Sequence, residues 1–482
     1  MKKKIDAIVI GSGAAGSVMT YELTRRGLEV VTLERGLRQD PQTFEHNELA
    51  MLPRLYKSGG LQTSVDHDLI VAQGQTVGGS TVINNAIWMR ADLDRILSEW
   101  QAHSGAFIPK QALTSAYDEL EKALHVSPVS PELANQGSQP FMHGGSALGI
   151  ETEFLHNNRN QCIGCGWCNY GCRYNRKTSM LVTYLPWAEA RGATILDGCD
   201  DVEITHTQGR ATGVRFIRSG IPQSLDADRV VVCGGAIGSS AVLLRSGITQ
   251  QGRVGRGLHV LGGVFVTAEM ANRVNGFDGI GLTSVAHASP NREFLIESYF
   301  APPAVFSLSL GGWFLTHFRR MSRYGYYADA GVLVATEPRG RVSLTKKKQP
   351  KIDLTYSAEE MNAVKKGIRA LASIYFAGGA IKVLPATFDY IELTKPSDLD
   401  QLDILVRKPD DLLLGTAHPQ GGNTMSDDPG RGVVDPQFRV FGFDNLYVTD
   451  ASVFPTNIWA NCQATVMAVS HYAASLIANP QS

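Results

Sequence analysis

No window of this 482-residue chain reaches the ~18 uninterrupted apolar residues that a membrane-spanning helix needs. The nearest approach, Tyr299 to Phe318, is broken by Pro302-Pro303, Gly311-Gly312 and His317 and ends in Arg319-Arg320. Proline and glycine pairs interrupt any long helix, so the segment is read as core or pocket wall, with no membrane contact expected. Charge of one sign is lacking too: 45 basic against 46 acidic residues leave a net charge of −1. No bulk field then favours nucleic acid or an acidic partner. Repeats and low-complexity tracts are absent. The start, Met1-Lys2-Lys3-Lys4, runs straight into a strand and glycine turn. Cleaving it as a leader would destroy that turn, so a cytoplasmic protein is expected.

What is present suits a turn-rich globular enzyme: 43% hydrophobic residues and 49 glycines. The length exceeds one typical domain, so two joined domains are expected. Residues 5–36 read as strand, glycine turn, helix and strand, a βαβ opening. Gln111 to Leu124 is the clearest amphipathic helix. Residues 190–235 return to β, and Arg229 to Cys233 is a buried strand ending at Gly234-Gly235 with a helix after it. The middle has strand-like pieces (Val332-Leu333-Val334, Val342-Ser343-Leu344) and a helix from Ala358 to Phe376. Leu446 to Val448 is a strand, and a helix spans about Gln463 to Ile477. The expected fold is α/β: a Rossmann-like cofactor domain interrupted by an α+β substrate domain built on a sheet. The cofactor domain would take residues 1–100, 155–258 and 408–482, and the substrate domain 101–154 and 259–407.

Gly11, Gly13 and Gly16 fill the G-x-G-x-x-G positions, with Ala14 and Ala15 between the last two. The first glycine permits the tight turn and the second a close approach of backbone to pyrophosphate. The third lets helix and strand pack, leaving N–H groups at the helix start to face phosphates. Glu34 lies 21 residues beyond Gly13, where a carboxylate can accept from ribose hydroxyls. An acid there disfavours a 2′-phosphate, so FAD or NAD is expected and NADP is not. A second glycine-rich stretch, Gly74 to Asn85, includes Gly78, Gly79, Ser80, Asn84 and Asn85 and can hug a flat ring.

These motifs, with Gly234-Gly235-Ala236-Ile237-Gly238 and the tail His418-Pro419-Gln420-Gly421-Gly422 through Asn461, resemble the glucose–methanol–choline oxidoreductase family. The resemblance implies FAD, with its ring between a cofactor and a substrate domain. It also implies that Val202 meets the adenine end through its backbone and that Asp450-Ala451 lie beside the ribityl and pyrophosphate portion. Some members attach the flavin through a histidine; the matching position is Ile83, so non-covalent FAD is expected. The His–Asn tail resembles the cholesterol-oxidase-like and long-chain-alcohol branches more than the sugar oxidases with two histidines.

Oxidising an alcohol means removing the hydroxyl proton and passing a hydride to flavin N5. His418 is the candidate base, since imidazole changes charge near neutral pH, and Asn461 the candidate partner of the substrate oxygen. His471, in the last helix, is read as structural. An apolar alcohol is the expected substrate, with Trp313, Phe314, Phe318, Tyr324, Tyr326 and Tyr327 read either as pocket lining or as core. A lyase without net redox, an oxygen-using oxidase and an electron-transfer subunit are the alternatives.

Four of seven cysteines fall in one run, Cys162, Cys165, Cys168 and Cys172, spaced C-x₂-C-x₂-C-x₃-C as in bacterial ferredoxins. Arg173 stands where such runs have proline, and only one run exists. Cys172 is then either the fourth ligand of a [4Fe-4S] cluster or spare beside a [3Fe-4S] centre. Zinc and free thiols remain open; disulfides do not suit a reducing cytoplasm. An iron–sulfur centre would favour a dehydrogenase that passes electrons to a protein or quinone acceptor. Cys199, Cys233 and Cys462 are read as buried small hydrophobes.

Overall fold

The computed structural model describes residues 4–389 and 391–478, so the basic start at Met1–Lys3 lies outside it. The βαβ opening is present: β1 (Ala7–Ile10), α1 (Ala14–Arg25) and β2 (Val30–Leu33). Both strands are buried throughout, which is why they read as unbroken apolar runs without alternation. They form the centre of a five-stranded parallel sheet ordered Leu446–Val448, Arg229–Val232, β1, β2, Thr194–Leu196. Its strands therefore come from the start, the middle and the end of the chain. A three-stranded antiparallel unit, Cys199–Thr207, Arg210–Arg218 and Ile221–Asp226, leads into Arg229–Val232.

A larger sheet is organised around one long strand, Arg256–Met270. That strand pairs antiparallel with Tyr327–Ala335, Ala380–Pro385 and Leu414–Gly422. Leu295–Tyr299 follows on the outer edge of Tyr327–Ala335. The helix Ala358–Ala377 covers this sheet, started by a capping box in which Ser357 and Glu360 satisfy each other's backbone donors. Each sheet has its own buried core. These cores do not follow the expected boundaries at 101 and 408. Helix Lys110–Leu124 packs its Leu113, Tyr117 and Leu120 with the parallel sheet, while Leu414 belongs to the core of the larger one.

The aromatic segment differs from its reading as lining or core. Tyr327 is fully buried, but Trp313, Phe314 and Phe318 are 74%, 91% and 71% exposed. They lie at the short helix Phe314–Met321, which is anchored by its basic end: the buried Arg320 donates to the Gly311 carbonyl at 2.6 Å. The anchor turns the apolar side outward. Among the described residues no helix is long and apolar enough to cross a membrane.

Candidate active site

The glycine turn after β1 is closed by geometry that admits no side chain. A Cβ on Gly11 would lie 2.4 Å from the Cys233 carbonyl oxygen, and one on Gly16 would lie 1.8 Å from the Gly11 oxygen. Gly13 is different: a Cβ there would have Gly79 Cα as its nearest neighbour, 3.9 Å away. Protein fills the space around the first and third glycines and leaves it open at the second, as a backbone that must approach a ligand requires. The N–H groups of Ala14, Ala15 and Gly16, in the first turn of α1, have no partner within the helix by construction.

Glu34 ends β2 with its carboxylate buried and held by three donors. Ser12 N–H and Oγ reach Oε2 at 2.9 and 2.8 Å, and Gly36 N–H reaches Oε1 at 2.8 Å. Burial raises its pKa, although these bonds favour the charged form. The second glycine loop docks on the same turn, since Gly78 N–H donates to Ser12 Oγ at 3.0 Å. Gly79 sits against it so closely that a Cβ would meet Gly13 Cα at 2.7 Å. Ser80 Oγ accepts from Gly74 N–H at 3.0 Å, and Ile83 is buried. Asp450 joins the edge strand to the helix Gly235–Arg245: its carboxylate accepts from Gly235 N–H at 2.7 Å, from Ser239 Oγ, and from Ser452 N–H at 2.9 Å. Ala451 follows, buried. Val202 lies at an irregularity between Cys199–Thr207 and Arg210–Arg218, its carbonyl accepting from Arg245 at 3.1 Å. Gly11–Gly16, Glu34, Gly78–Ser80 and the loop to Asn85 thus meet at one end of the parallel sheet.

The two tail residues also converge. His418 sits in Leu414–Gly422 opposite Leu261, directly after a β-bulge at Ala417. A bulge re-aims the side chain beside it. Thr416 Oγ1 fixes the distortion, accepting from His418 N–H at 3.1 Å and donating to the Leu261 carbonyl at 2.8 Å. His418 Nδ1 lies 3.7 Å from Cys462 Sγ, and Cys462 follows Asn461 in the chain. Cys462 is therefore not simply packed among apolar neighbours; Cys199 and Cys233 are buried, and their sulfurs too meet polar groups, the Leu196 carbonyl at 3.4 Å and Thr449 Oγ1 at 3.2 Å. With no charged partner, the imidazole has its pKa pushed down to about 4 by burial.

Asn461 led to a residue that no motif marks. Its Nδ2 reaches both carboxylate oxygens of Glu297, at 3.1 and 3.4 Å, while its Oδ1 has no protein partner. Glu297 lies on the strand Leu295–Tyr299, 3% exposed, and burial pushes its pKa up to about 7 against the opposing Asn461 bond. Alternation in this strand hides one acid among apolar and hydroxyl residues, and only the long-range pairing of the sheet brings it to the site. Tyr299, two residues on and so on the same face, stacks on Phe265 with centroids 4.9 Å apart. Further buried polar atoms lack partners nearby in the chain: Gln420 Nε2, both amide atoms of Asn423, and Asn457 Nδ2. Such atoms are rare in folded proteins and point to a polar ligand. An elongated group with phosphates at one end fits the glycine turn, and its hydroxyls and ring edges fit these orphaned amides. His471 stands apart, with Nε2 at 3.7 Å from Glu22 and 3.3 Å from Glu119, a structural role.

The four clustered cysteines are unpaired and line one cavity together with Arg159, Trp167 and Lys177. Among the described residues no three His, Cys, Asp or Glu side chains stand close enough to hold a single metal ion. That removes the support for a mononuclear zinc site. Lys177, 2% exposed, donates to the carbonyls of Val82, Asn84 and Cys168 at 2.7, 2.8 and 2.7 Å. Arg159 donates to the Asn85 carbonyl and to Cys168 Sγ, the latter at 3.6 Å. Asn85 Nδ2 donates to Asn169 Oδ1 at 3.0 Å, and Asn169 Nδ2 to the Ile83 carbonyl at 2.8 Å. Asn84 Nδ2 donates to Gln463 Oε1, tying the loop to the last helix. The cysteine segment and the second glycine loop are thus sewn together.

Two family models described as GMC oxidoreductase match residues 52–261 and 336–470. An uncharacterized GMC-type oxidoreductase of Mycobacterium tuberculosis is 29% identical over 97% of this chain and 75% of its own length. A long-chain-alcohol oxidase of Arabidopsis thaliana is 28% identical over 98% of this chain and 68% of its own. Among solved structures, pyridoxine 4-oxidase from Mesorbium loti superposes with a TM-score of 0.72 at 19% identity, covering 98% of this chain and 99% of that one.

Proposed function

Since the chain belongs to the GMC oxidoreductase family and is thereby an FAD-dependent oxidoreductase, we propose that it oxidises an apolar alcohol to the carbonyl compound, with His418 as base and Asn461 as partner of the substrate oxygen. The observation that carries this reading is that the segment Asn461–Cys462 meets His418 through Cys462 and the buried Glu297 through Asn461. Gly13, Ala14, Ala15, Gly16, Glu34, Gly78, Gly79, Asp450 and Ala451 would hold FAD, with Val202 toward its adenine end and Ile83 leaving it non-covalent. When bound, FAD supplies the hydride acceptor. The protein's own groups move the proton. A pKa of about 4 keeps His418 neutral at physiological pH, so it is ready to accept. His418 Nδ1 faces the Cys462 sulfur, and in the tautomer that carries its proton on Nδ1 the Nε2 atom takes the hydroxyl proton. One hydrogen of Asn461 Nδ2, shared between the two Glu297 oxygens, accounts for both contacts, so the second is free to donate to the substrate oxygen as negative charge grows there. The stacked Phe265 and Tyr299 supply an apolar wall, which supports an apolar substrate.

The test is anaerobic mixing with primary and secondary alcohols of increasing chain length while flavin absorbance is followed. Bleaching is expected with the wild type, and His418→Ala should slow it by about 10²–10⁴-fold. Equal bleaching rates in the two proteins would remove His418 from the chemistry. We favour a dehydrogenase that delivers electrons to a protein or quinone acceptor. A second reading, an oxidase, is supported by the name of the long-chain-alcohol oxidase relative. One hydrogen peroxide per carbonyl formed in air would select it.

A further inference from the structure

We infer that Cys162, Cys165, Cys168 and Cys172 hold an iron–sulfur cluster in the cavity they line. All four thiols are free and border the same cavity. Each sulfur is met by an N–H donor. Gly164 N–H points to Cys162 Sγ at 3.4 Å, and the N–H groups of Arg176 and Lys177 point to Cys172 Sγ at 3.3 and 3.4 Å. Trp167 N–H serves Cys165, and the Arg159 guanidinium serves Cys168. Left-handed backbone at Gly164, Gly166 and Gly171 makes these short loops possible. N–H groups turned toward sulfur are what a thiolate ligand needs, and they also tune a cluster's potential.

Arg159 is the independent pointer. It is 5% exposed and lines the cavity, yet its Nε and Nη1 have no partner. A buried guanidinium with two idle donors is costly, as is the buried Lys177 ammonium beside it. A thiolate-bound cluster carries negative charge and answers both. A zinc ion would draw four sulfurs to ~2.3 Å from one centre. Among the described residues no group of His, Cys, Asp or Glu side chains could hold such a single ion, so zinc does not answer those idle donors.

The cluster's role rests on the alcohol-oxidation reading, although its presence does not. Oxidation of the alcohol releases a proton to His418 and a hydride, with both electrons, to FAD. The reduced flavin then returns two electrons, one at a time, and a proton. The cluster relays the electrons to an acceptor of the quinone or redox-protein class. Arg159 and Lys177 grip both the cysteine segment and the carbonyls of Val82, Asn84 and Asn85, so the cluster would stand beside the loop assigned to the flavin ring.

Protein purified anaerobically and reconstituted with ferrous iron and sulfide should hold about three or four of each per chain. It should also show a low-temperature paramagnetic signal in one oxidation state. Less than about one iron per chain, or zinc bound in preference to iron, would overturn the inference. Cys165→Ser should lose iron and retain FAD, whereas Cys199→Ser, outside the cavity, should keep both. With iron lost, alcohol should still bleach the flavin while reduction of a soluble quinone falls at least tenfold. Unchanged quinone reduction would overturn the relay. Iron and sulfide in a protein whose flavin no alcohol bleaches would sustain the cluster and defeat the alcohol reading, so the two failures are distinct.

Discussion

Glu297 carries a carboxyl whose surroundings resist its charge. Burial lifts its pKa from 4.5 to about 7, despite the bond from Asn461. An acid whose folded pKa is raised holds its proton more tightly when folded. Its contribution to stability is therefore whole below about pH 4.5 and is lost as pH rises through about 7. The shift corresponds to on the order of 3 kcal/mol. Glu297→Gln keeps the shape and cannot ionise, so its Tm should exceed that of the wild type near pH 8.5 and match it near pH 4. Curves that run parallel across that range would mean the carboxyl titrates normally. The same variant isolates His418. With Glu297 neutralised, the flavin-reduction rate should be flat from about pH 5.5 to 8, because an imidazole with a pKa of about 4 does not titrate there. A remaining inflection near pH 6.5 would return His418 to its ordinary value.

At the level of elements, the βαβ opening was legible because its constraints are local: two buried strands, a glycine turn and an acid at the right remove. The glycines also separate fold from ligand. Gly16→Ala puts a Cβ into the Gly11 carbonyl and should misfold the turn, with loss of both soluble yield and flavin. Gly13→Ala meets nothing nearer than 3.9 Å and should keep an apo-protein Tm close to wild type while losing bound FAD. Full flavin occupancy in Gly13→Ala would mean the pyrophosphate does not lie against that turn. The exposed helix was not legible. Aromatic residues at Trp313, Phe314 and Phe318 suit a pocket as well as a surface, and what decides is the Arg320–Gly311 anchor, a tertiary contact. Phe318→Ser should accordingly change stability by less than about 0.5 kcal/mol in thermal melts. Glu297 and the bulge at Ala417 carry no local signal for the same reason, since strand register in a large sheet is set by partners far away in sequence.

Across the whole molecule, the site exists because the two ends of the chain close on each other. Ser470 Oγ donates to the Ala15 carbonyl at 2.8 Å, and Tyr117 OH meets Thr465 Oγ1 at 2.8 Å, so helix Gln463–Ala478 is clamped against α1 and Lys110–Leu124. The motifs at both ends announced that meeting, but not the residue that fastens it. Gln463 accepts from Asn84 Nδ2 with its oxygen and donates to Asn158 Oδ1 at 3.0 Å with its nitrogen. One amide thus joins the last helix, the second glycine loop and the strand that precedes the cysteine run. Gln463→Ala leaves a donor and an acceptor unpaired, with Asn158 1% exposed, at about 1–3 kcal/mol for each buried group. Gln463→Glu keeps the acceptor for Asn84 and turns a carboxylate oxygen toward Asn158 Oδ1, where two acceptors repel. Both variants should therefore lower Tm and release FAD more readily, with Gln463→Glu improving as pH falls and its carboxyl regains a proton. If either variant loses stability while FAD affinity, read by fluorescence on titration, stays at the wild-type value, then closure of the ends supports the fold alone and the cofactor is held without it.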